Sequence, residues 1–330
     1  MKTATKEPVL LVGDIGGTNA RFALAHLGTP GFSQVESFQC SGFATAGLAI
    51  QHYLDQVGVA APSVICIAAA GPVVDGTVRF TNNNWYLDSA ELAKDFQGAE
   101  VRLLNDFEAN AYALPLLKPA DCLQIGSPGS RELANRDFTV GVIGPGTGLG
   151  AAALRCRNGQ LDPIVGEAGH VGFAPETREQ MEILEQLRDE FDRVSDERLL
   201  SGPGIVNIQR ALCKLRGQRV LHTSAAEVFS QAVRDPDSLA AEAVQVFYEV
   251  LGQVAGNYAL TLGASDGMFI CGGIVTRVPD RIGTSRFRTG FERKGRHRSL
   301  MEKIPTHLIL HSQPGLLGAS YCAFQLMRDI

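Results

Sequence analysis

Three short segments of the chain carry side chains suited to chemistry on a small polar molecule. Asn105 and Asp106 directly follow a stretch at 101–104 that reads as a strand. Ligands of open α/β sheets bind at the carboxyl ends of strands. A carboxylate placed there can take a proton from a substrate hydroxyl while a neighbouring amide fixes that hydroxyl. By itself the pair reads more simply as the cap of a following helix. Gly166-Glu167-Ala168-Gly169-His170 sets an acceptor and an imidazole on a glycine-rich loop. Glu-x-x-His is also a di-iron bundle motif, but such a site needs a second copy and further glutamates. One copy broken by glycines suits presentation to a polyol better. Glu197 stands just ahead of Ser201-Gly202-Pro203-Gly204, a helix start, and its plain alternative is a surface charge.

Two glycine-rich turns offer the complementary chemistry, phosphate binding. Gly13-Asp14-Ile15-Gly16-Gly17-Thr18-Asn19 lies between apolar runs at 9–12 and 22–25, which reads as a β-hairpin. Such a turn can present backbone amides and the Thr18 hydroxyl to a phosphate, with Asp14 facing a metal ion. It is neither the G-x-G-x-x-G dinucleotide fingerprint nor the G-x-x-x-x-G-K-[ST] loop, because a strand and not a helix follows. The pattern returns at 139–154, where Gly144-Pro145-Gly146-Thr147-Gly148-Leu149-Gly150 joins two apolar runs. The echo suggests an internally duplicated architecture. Coincidence is the competing reading, since glycine-rich hairpins are common.

The elements that must position these residues alternate between strands and helices. Extended runs are expected at 35–40 and 64–70, the second a near-continuous apolar strand ended by Gly71-Pro72. A helix is expected at 47–57. In the second half, Thr177 and Gln180 cap a helix with an apolar face of Met181, Leu184, Leu187, Phe191 and Val194. Another runs from Ser201 to Gly217. A long one begins at Asp235-Pro236, and its apolar stripe, which includes Tyr258, reads as core. A buried strand at 268–271 runs into Gly272-Gly273. The run 286–298, with six Lys/Arg and one Glu, reads as a solvated helical face. A last strand is expected at 307–310 and a final helix at 315–327. Pro115 and Pro119 interrupt the pattern and mark a hinge between domains.

Composition narrows the class. At 330 residues the chain can build two domains with sizeable cores. A formal charge of −5 argues against general nucleic-acid binding. The seven cysteines are scattered and never form C-x-x-C, which favours reduced thiols over disulfides or a zinc site. The first strand is expected so early that no signal peptide fits before it, and no apolar run approaches the ~18–20 residues of a membrane span. A cytoplasmic protein without membrane contact is expected.

Taken together, the segments resemble the hexokinase–actin superfamily and, within it, the bacterial glucokinase family. They are GDIGGTNARFAL, TNNNW, LNDFEANAYALP, GPGTGLGAA, GEAGHVGFAP, SDERLLSGPG, ICGGIV, FRTGFERKGR and PGLLG, in the family's order over nearly the whole chain. The cysteine-rich zinc segment of the repressor/open-reading-frame/kinase branch is missing from the sequence, which points to the other branch. The resemblance implies an α/β fold of two ribonuclease-H-like lobes, the actin-like ATPase fold, with a cleft between them. It implies a small domain of residues 1–115 plus 311–330 and a large domain of 116–310. Asp106 matches the catalytic base, and Asn105, Asp106, Glu167, His170 and Glu197 match the sugar ligands. Gly13, Asp14, Gly16, Gly17, Thr18 and Asn19 match the first ATP turn, Gly146, Thr147 and Gly148 the second, and Gly272 and Gly273 the adenosine segment. Asp14 would hold Mg²⁺ through water. Pro145 and Ala168 are local variations that remove no functional group. The implied partners are glucose, ATP and a second copy of the chain in a homodimer. The implied reaction is formation of glucose 6-phosphate, the first step of glycolysis. A kinase for another hexose or an N-acetylhexosamine, or a non-catalytic sugar sensor, are the alternatives.

Overall fold

The computed structural model describes residues 8–80, 83–127, 129 and 132–329; Thr81 and Asn82 of the TNNNW segment lie outside them. The chain forms two compact units, Met1–Leu117 with His311–Ile330, and Lys118–Leu310.

In the first unit β1 (Leu10–Ile15), β2 (Asn19–Ala25) and β3 (Phe32–Gln39) form an antiparallel meander. Helix α1 (Ala46–Val57), capped by Thr45, leads to β4 (Val64–Ala69), whose six residues are all buried. A small hairpin of β5 (Thr77–Arg79) and β6 (Tyr86–Asp88) and helix α2 (Ser89–Asp95) then precede β7 (Glu100–Asn105) and α3 (Asp106–Ala113). The sheet order is β3-β2-β1-β4-β7, with β1, β4 and β7 parallel. Register puts Ile15, Ala69 and Asn105 in one row, so the carboxyl ends of the three parallel strands are level. Because strand side chains alternate, Leu11, Ile15, Ile65 and Ile67 face the α1 side and pack with Ile50, Tyr53 and Leu54. The C-terminal helix Pro314–Asp329 packs on β1, β4 and α3. There Gly318 is obligatory, because a Cβ on it would lie 1.7 Å from the Ala109 carbonyl oxygen.

The second unit repeats the plan. β9 (Phe138–Pro145), β10 (Leu149–Arg157) and β11 (Gln160–Gly166) form an antiparallel meander; β12 (Gly267–Ile270) pairs parallel to β9 and β13 (Thr306–Ile309) parallel to β12. With β8 (Cys122–Ile125) at the edge the order is β11-β10-β9-β12-β13-β8. Both sheets thus place a glycine turn between their first two strands and flank it with a parallel strand. Helices α4 (Arg178–Arg188), α5 (Gly202–Leu215), α6 (Ala225–Arg234) and α7 (Leu239–Leu262) supply the core, and α7 is buried along most of its length. Among the described residues no helix is long and apolar enough to cross a membrane.

Three expectations change. Helix α4 ends at Arg188 and buries Gln180, Ile183 and Leu187, leaving Met181 half exposed. The apolar spacing through Phe191 and Val194 therefore runs past the helix into the following loop. The long helix starts at Ser238, whose hydroxyl oxygen accepts from the Ala241 amide at 3.2 Å. The basic run is a solvated face only in part. Arg288 reaches the Ile304 carbonyl and the Thr306 hydroxyl, Arg293 pairs with buried Glu249, and Lys294 pairs with Glu176. A short helix, Phe287–Glu292, forms there; Arg293 and Lys294 turn to acids distant in sequence, Arg288 turns to a carbonyl and a hydroxyl, and Arg296 and Arg298 stay exposed.

Gly318→Ala is expected to lower unfolding free energy by about 2 kcal/mol or more, since backbone must move to admit one methyl group. Gly283→Ala, in a helix with open space around it, is expected to be neutral or slightly stabilising. Urea unfolding of both variants checks this; equal midpoints would mean that α3 and the last helix are not in the close contact described.

Candidate active site

Asp106 is the first residue of α3, half-buried, with Oδ1 accepting from the Phe107 amide at 3.0 Å. Asn105 beside it caps the helix. Its Oδ1 accepts from the amides of Phe107 at 2.9 Å and Glu108 at 3.3 Å, and Glu108 closes the capping box on the Asn105 amide. The capping reading is therefore correct for Asn105, and it is not the whole of its work. Nδ2 donates to the Gly71 carbonyl at 3.0 Å, tying the end of β7 to the breaker after β4. An amide nitrogen carries two protons, so one N–H remains for a ligand.

The first glycine turn is closed by the Gly16 amide donating to the Asn19 carbonyl at 2.9 Å. The amides of Gly17 and Thr18 take no acceptor among the described residues. Two neighbours hold the turn from outside: Asn83 Nδ2 and the Cys40 thiol both donate to the Gly16 carbonyl. A cavity of about 660 Å³ opens there, lined in part by Gly17, Thr18, Cys40, Asn83 and Trp85. Asp14, one residue before the level row, faces Arg21 across the hairpin at 3.2 Å. Burial pushes its carboxyl above the ordinary carboxylate range, against the pull of the Arg21 guanidinium. Gly315, at the start of the C-terminal helix, lies against the same carboxyl. No cluster of three or more His, Cys, Asp or Glu side chains suited to a metal occurs among the described residues. Asp14 thus offers one carboxylate. That fits an ion ligated mostly by phosphate and water, as Mg²⁺ is.

In the second unit the other candidates converge on Leu149, the residue after the second turn. The Gly146 amide donates to the Gly148 carbonyl at 2.7 Å, and, as in the first turn, the two following amides take no acceptor among the described residues. The Leu149 amide donates to Glu197 Oε2 at 2.9 Å. The Leu149 carbonyl lies against Gly169, where a Cβ would come within 2.1 Å of the oxygen, so only glycine lets the Glu167/His170 loop approach. Helix α5 joins from another side, its Gly202 amide donating to the Gly146 carbonyl at 2.9 Å. Gly272, in the left-handed region at φ +100°, sits against Pro145. Glu167 and His170 flank the short turn Ala168–His170 and are exposed, whereas Glu197 is half-buried. The arrangement brings two carboxylates, an imidazole and a row of backbone amides to one end of the β9–β10 hairpin. Such a set can recognise a polyol and a phosphate.

Sequence reasoning missed the residues that hold this loop. Tyr258, read as core, keeps its ring in the core and donates its hydroxyl to the Ala168 carbonyl. Arg193 donates to the His170 carbonyl at 2.7 Å. A tyrosine in a buried helical stripe needs a polar partner, and that was the available signal. Arg193 gave none.

Known proteins extend the pattern. A family model described as Glucokinase matches residues 11–326. The glucokinase of Stenotrophomonas maltophilia is 41% identical over 335 residues, covering 99% of this chain and 98% of the relative. That of Xanthomonas euvesicatoria is 41% identical over 332 residues with the same coverage. A solved glucokinase from an Antarctic psychrotroph superposes with TM-score 0.87 at 33% identity, covering 97% of this chain and all of that one. The glucokinase of Balamuthia mandrillaris, solved with glucose, shares the fold at 23% identity and TM-score 0.77, covering 97% and 95% of the two chains. With the duplicated sheets and both glycine turns in place, this chain belongs to the glucokinase family.

Proposed function

We propose that the chain transfers the γ-phosphoryl group of ATP to the 6-hydroxyl of D-glucose, with Asp106 as general base. The observation that carries this reading is the position of Asp106, at the carboxyl end of β7 and level with the β1 strand that feeds the first glycine turn. Asp106 takes the proton of the 6-hydroxyl as its oxygen bonds to the γ-phosphorus. The bond from phosphorus to the bridging oxygen breaks, and ADP leaves. The spare N–H of Asn105 orients that hydroxyl. Phosphoryl transfer leaves a protein mainly positioning and charge stabilisation to supply. The amides of Gly17 and Thr18 face the phosphates, within a turn running from Gly13 to Asn19, and those of Thr147 and Gly148 do the same in the second turn with Gly146. Mg²⁺, when bound with ATP, neutralises charge on the β- and γ-phosphates, and Asp14 is the residue that would hold it, through water.

Glu167, His170 and Glu197 take the ring hydroxyls, and Gly272 and Gly273 border the adenosine. The contacts of Glu197 and Gly169 with Leu149 support the first assignment, and the approach of Gly272 to Pro145, beside the second turn, supports the second. Residues 1–115 with 311–330 then form the small domain of the first turn and the base. Residues 116–310 form the large domain of the sugar loop, the second turn and the adenosine segment. All seven cysteines are free thiols, which agrees with a reducing cytoplasm and an enzyme at the entry to glycolysis.

A coupled assay of several hexoses and N-acetylhexosamines against ATP, ADP and polyphosphate is expected to give glucose with ATP as the preferred pair. Asp106→Asn is expected to fold and bind glucose normally while kcat falls ~10²–10⁴-fold, because the amide keeps the shape and loses the proton acceptor. Activity within about threefold of wild type would remove Asp106 from this role. Glu167→Ala is expected to raise the glucose KM by the equivalent of ~1–3 kcal/mol, the cost of a sugar hydroxyl left without its charged acceptor. Unchanged KM and kcat in steady-state kinetics would reject the sugar loop.

A further inference from the structure

The loop that carries Glu167 and His170 has few bonds of its own. Glycine recurs at every third position, Gly166, Gly169 and Gly172, and each one adds backbone freedom. Inside the loop one tight turn is closed. The Glu167 carbonyl accepts from the His170 amide and the Ala168 carbonyl from the Val171 amide, both at 3.1 Å. Fixed positions for an exposed carboxylate and imidazole must therefore be imposed from outside.

One set of anchors comes from the connection between α4 and α5. Arg193 donates to the His170 carbonyl at 2.7 Å, and the Phe173 amide donates to the Val194 carbonyl at 3.1 Å. Gly172 bridges Ser195, and Asp196, buried beside Glu197, donates its amide to the Val171 carbonyl at 2.9 Å. A second set comes from α7. Gln253 Nε2 donates to the Ala174 carbonyl, and the Tyr258 hydroxyl donates to the Ala168 carbonyl. Helix α7 is a firm base for them. A Cβ on Gly252 would lie 1.9 Å from the Phe287 carbonyl oxygen, and one on Gly290 would lie 2.1 Å from that of Glu249. The long helix and the short helix Phe287–Glu292 thus meet backbone to backbone, and packing so close transmits little play.

Of the two donors on α7, Gln253 holds the far end of the loop, whereas Tyr258 holds the residue between Glu167 and His170. Another tyrosine of the same helix sets off what its hydroxyl does. Tyr248 is fully buried, and its hydroxyl has no hydrogen-bond partner among the described residues. The two residues put the same atom on the same helix, and the one at 258 reaches the loop.

We propose that Tyr258 is a positioning residue for sugar binding: its hydroxyl, carried on α7, holds the Ala168 carbonyl so that Glu167 and His170 meet the sugar together. This rests on the assignment of Glu167 and His170 to the sugar. A loop fixed before the ligand arrives spares the ligand the cost of ordering it. Without the hydroxyl the glycine-rich loop keeps its tight turn and its other anchors, and the sugar must restrain the rest.

The test compares Tyr258→Phe with Tyr248→Phe, reading the KM for glucose, the KM for ATP, kcat and the melting temperature. Tyr258→Phe is expected to raise the glucose KM about threefold to tenfold, the worth of one neutral hydrogen bond. Its kcat and ATP KM are expected to move less than about twofold, since binding at one subsite is what changes. Tyr248→Phe is expected to keep all three constants and to melt at or above wild type, because it removes an unpaired buried hydroxyl. The Tyr258→Phe change is then repeated in the Glu167→Ala and His170→Ala backgrounds. A hydroxyl that acts through those side chains loses part of its effect in at least one of them. If Glu167→Ala alone leaves the glucose KM unchanged, the sugar-loop reading fails and takes this proposal with it. If Glu167→Ala raises that KM while Tyr258→Phe matches Tyr248→Phe, or has the same effect in every background, Tyr258 is only structural and the proposal is wrong.

Discussion

The second unit depends on the two contacts made by one backbone unit, Leu149. Its amide is bonded to Glu197 and its carbonyl is pressed against Gly169. The main chain of one residue carries one donor and one acceptor, and here each is aimed at a different candidate sugar segment. The turn before it carries the amides suited to phosphate. Glu197, through its carboxylate, and the 167–170 loop, through Gly169, are thereby held in fixed relation to the turn. Rigid strands on either side make such a relation durable. The cost falls on residue choice: position 169 accepts only hydrogen as its side chain, and position 148 has Glu197 pressed just as close.

The first unit solves a similar problem with side chains. Asn105 spends its carbonyl oxygen on two amides of α3 and one of its two protons on Gly71. Those bonds fix where Asp106 begins the helix. The residue that caps α3 therefore also fixes the backbone that carries the carboxylate next to it. Glu108 closes the arrangement from the next turn, its own carboxyl raised by burial against the attraction of Arg102. A cap this heavily used leaves little freedom for the backbone at 105 and 106, which is what a positioned base requires.

Much of this was legible in the sequence because it is local. The glycine turns, the strand–Asn–Asp junction and the caps at Thr177 and Ser201 rest on neighbours within a few residues. The resemblance between 10–25 and 139–154 became two sheets of matching order. What could not be read depends on partners far along the chain. Nothing near Arg288 announces Thr306 and Ile304, and nothing near Tyr258 announces a carbonyl ninety residues earlier. The face of α4 was missed for another reason. Apolar residues continue at helical spacing after the helix has stopped, and periodicity has no memory of where hydrogen bonds end. Asp196 was overlooked beside Glu197 because a pair of acids looks alike in sequence, while burial separates them in the fold.

The C-terminal helix has one more consequence, in the order of synthesis. Val12, Cys66 and Ala68 lie on the sheet face that this helix covers, and the Cys66 thiol touches that of Cys322. The first unit is therefore begun by residues made before the second unit and finished only by residues made after it. At ~5–20 residues per second the stretch Lys118–Leu310 takes ~10–40 s to appear. Throughout that interval the nascent sheet keeps an apolar face without its cover, while the second unit, continuous in sequence, has every strand it needs. The unit begun second is free to fold first, while the unit begun first waits for the helix that follows it.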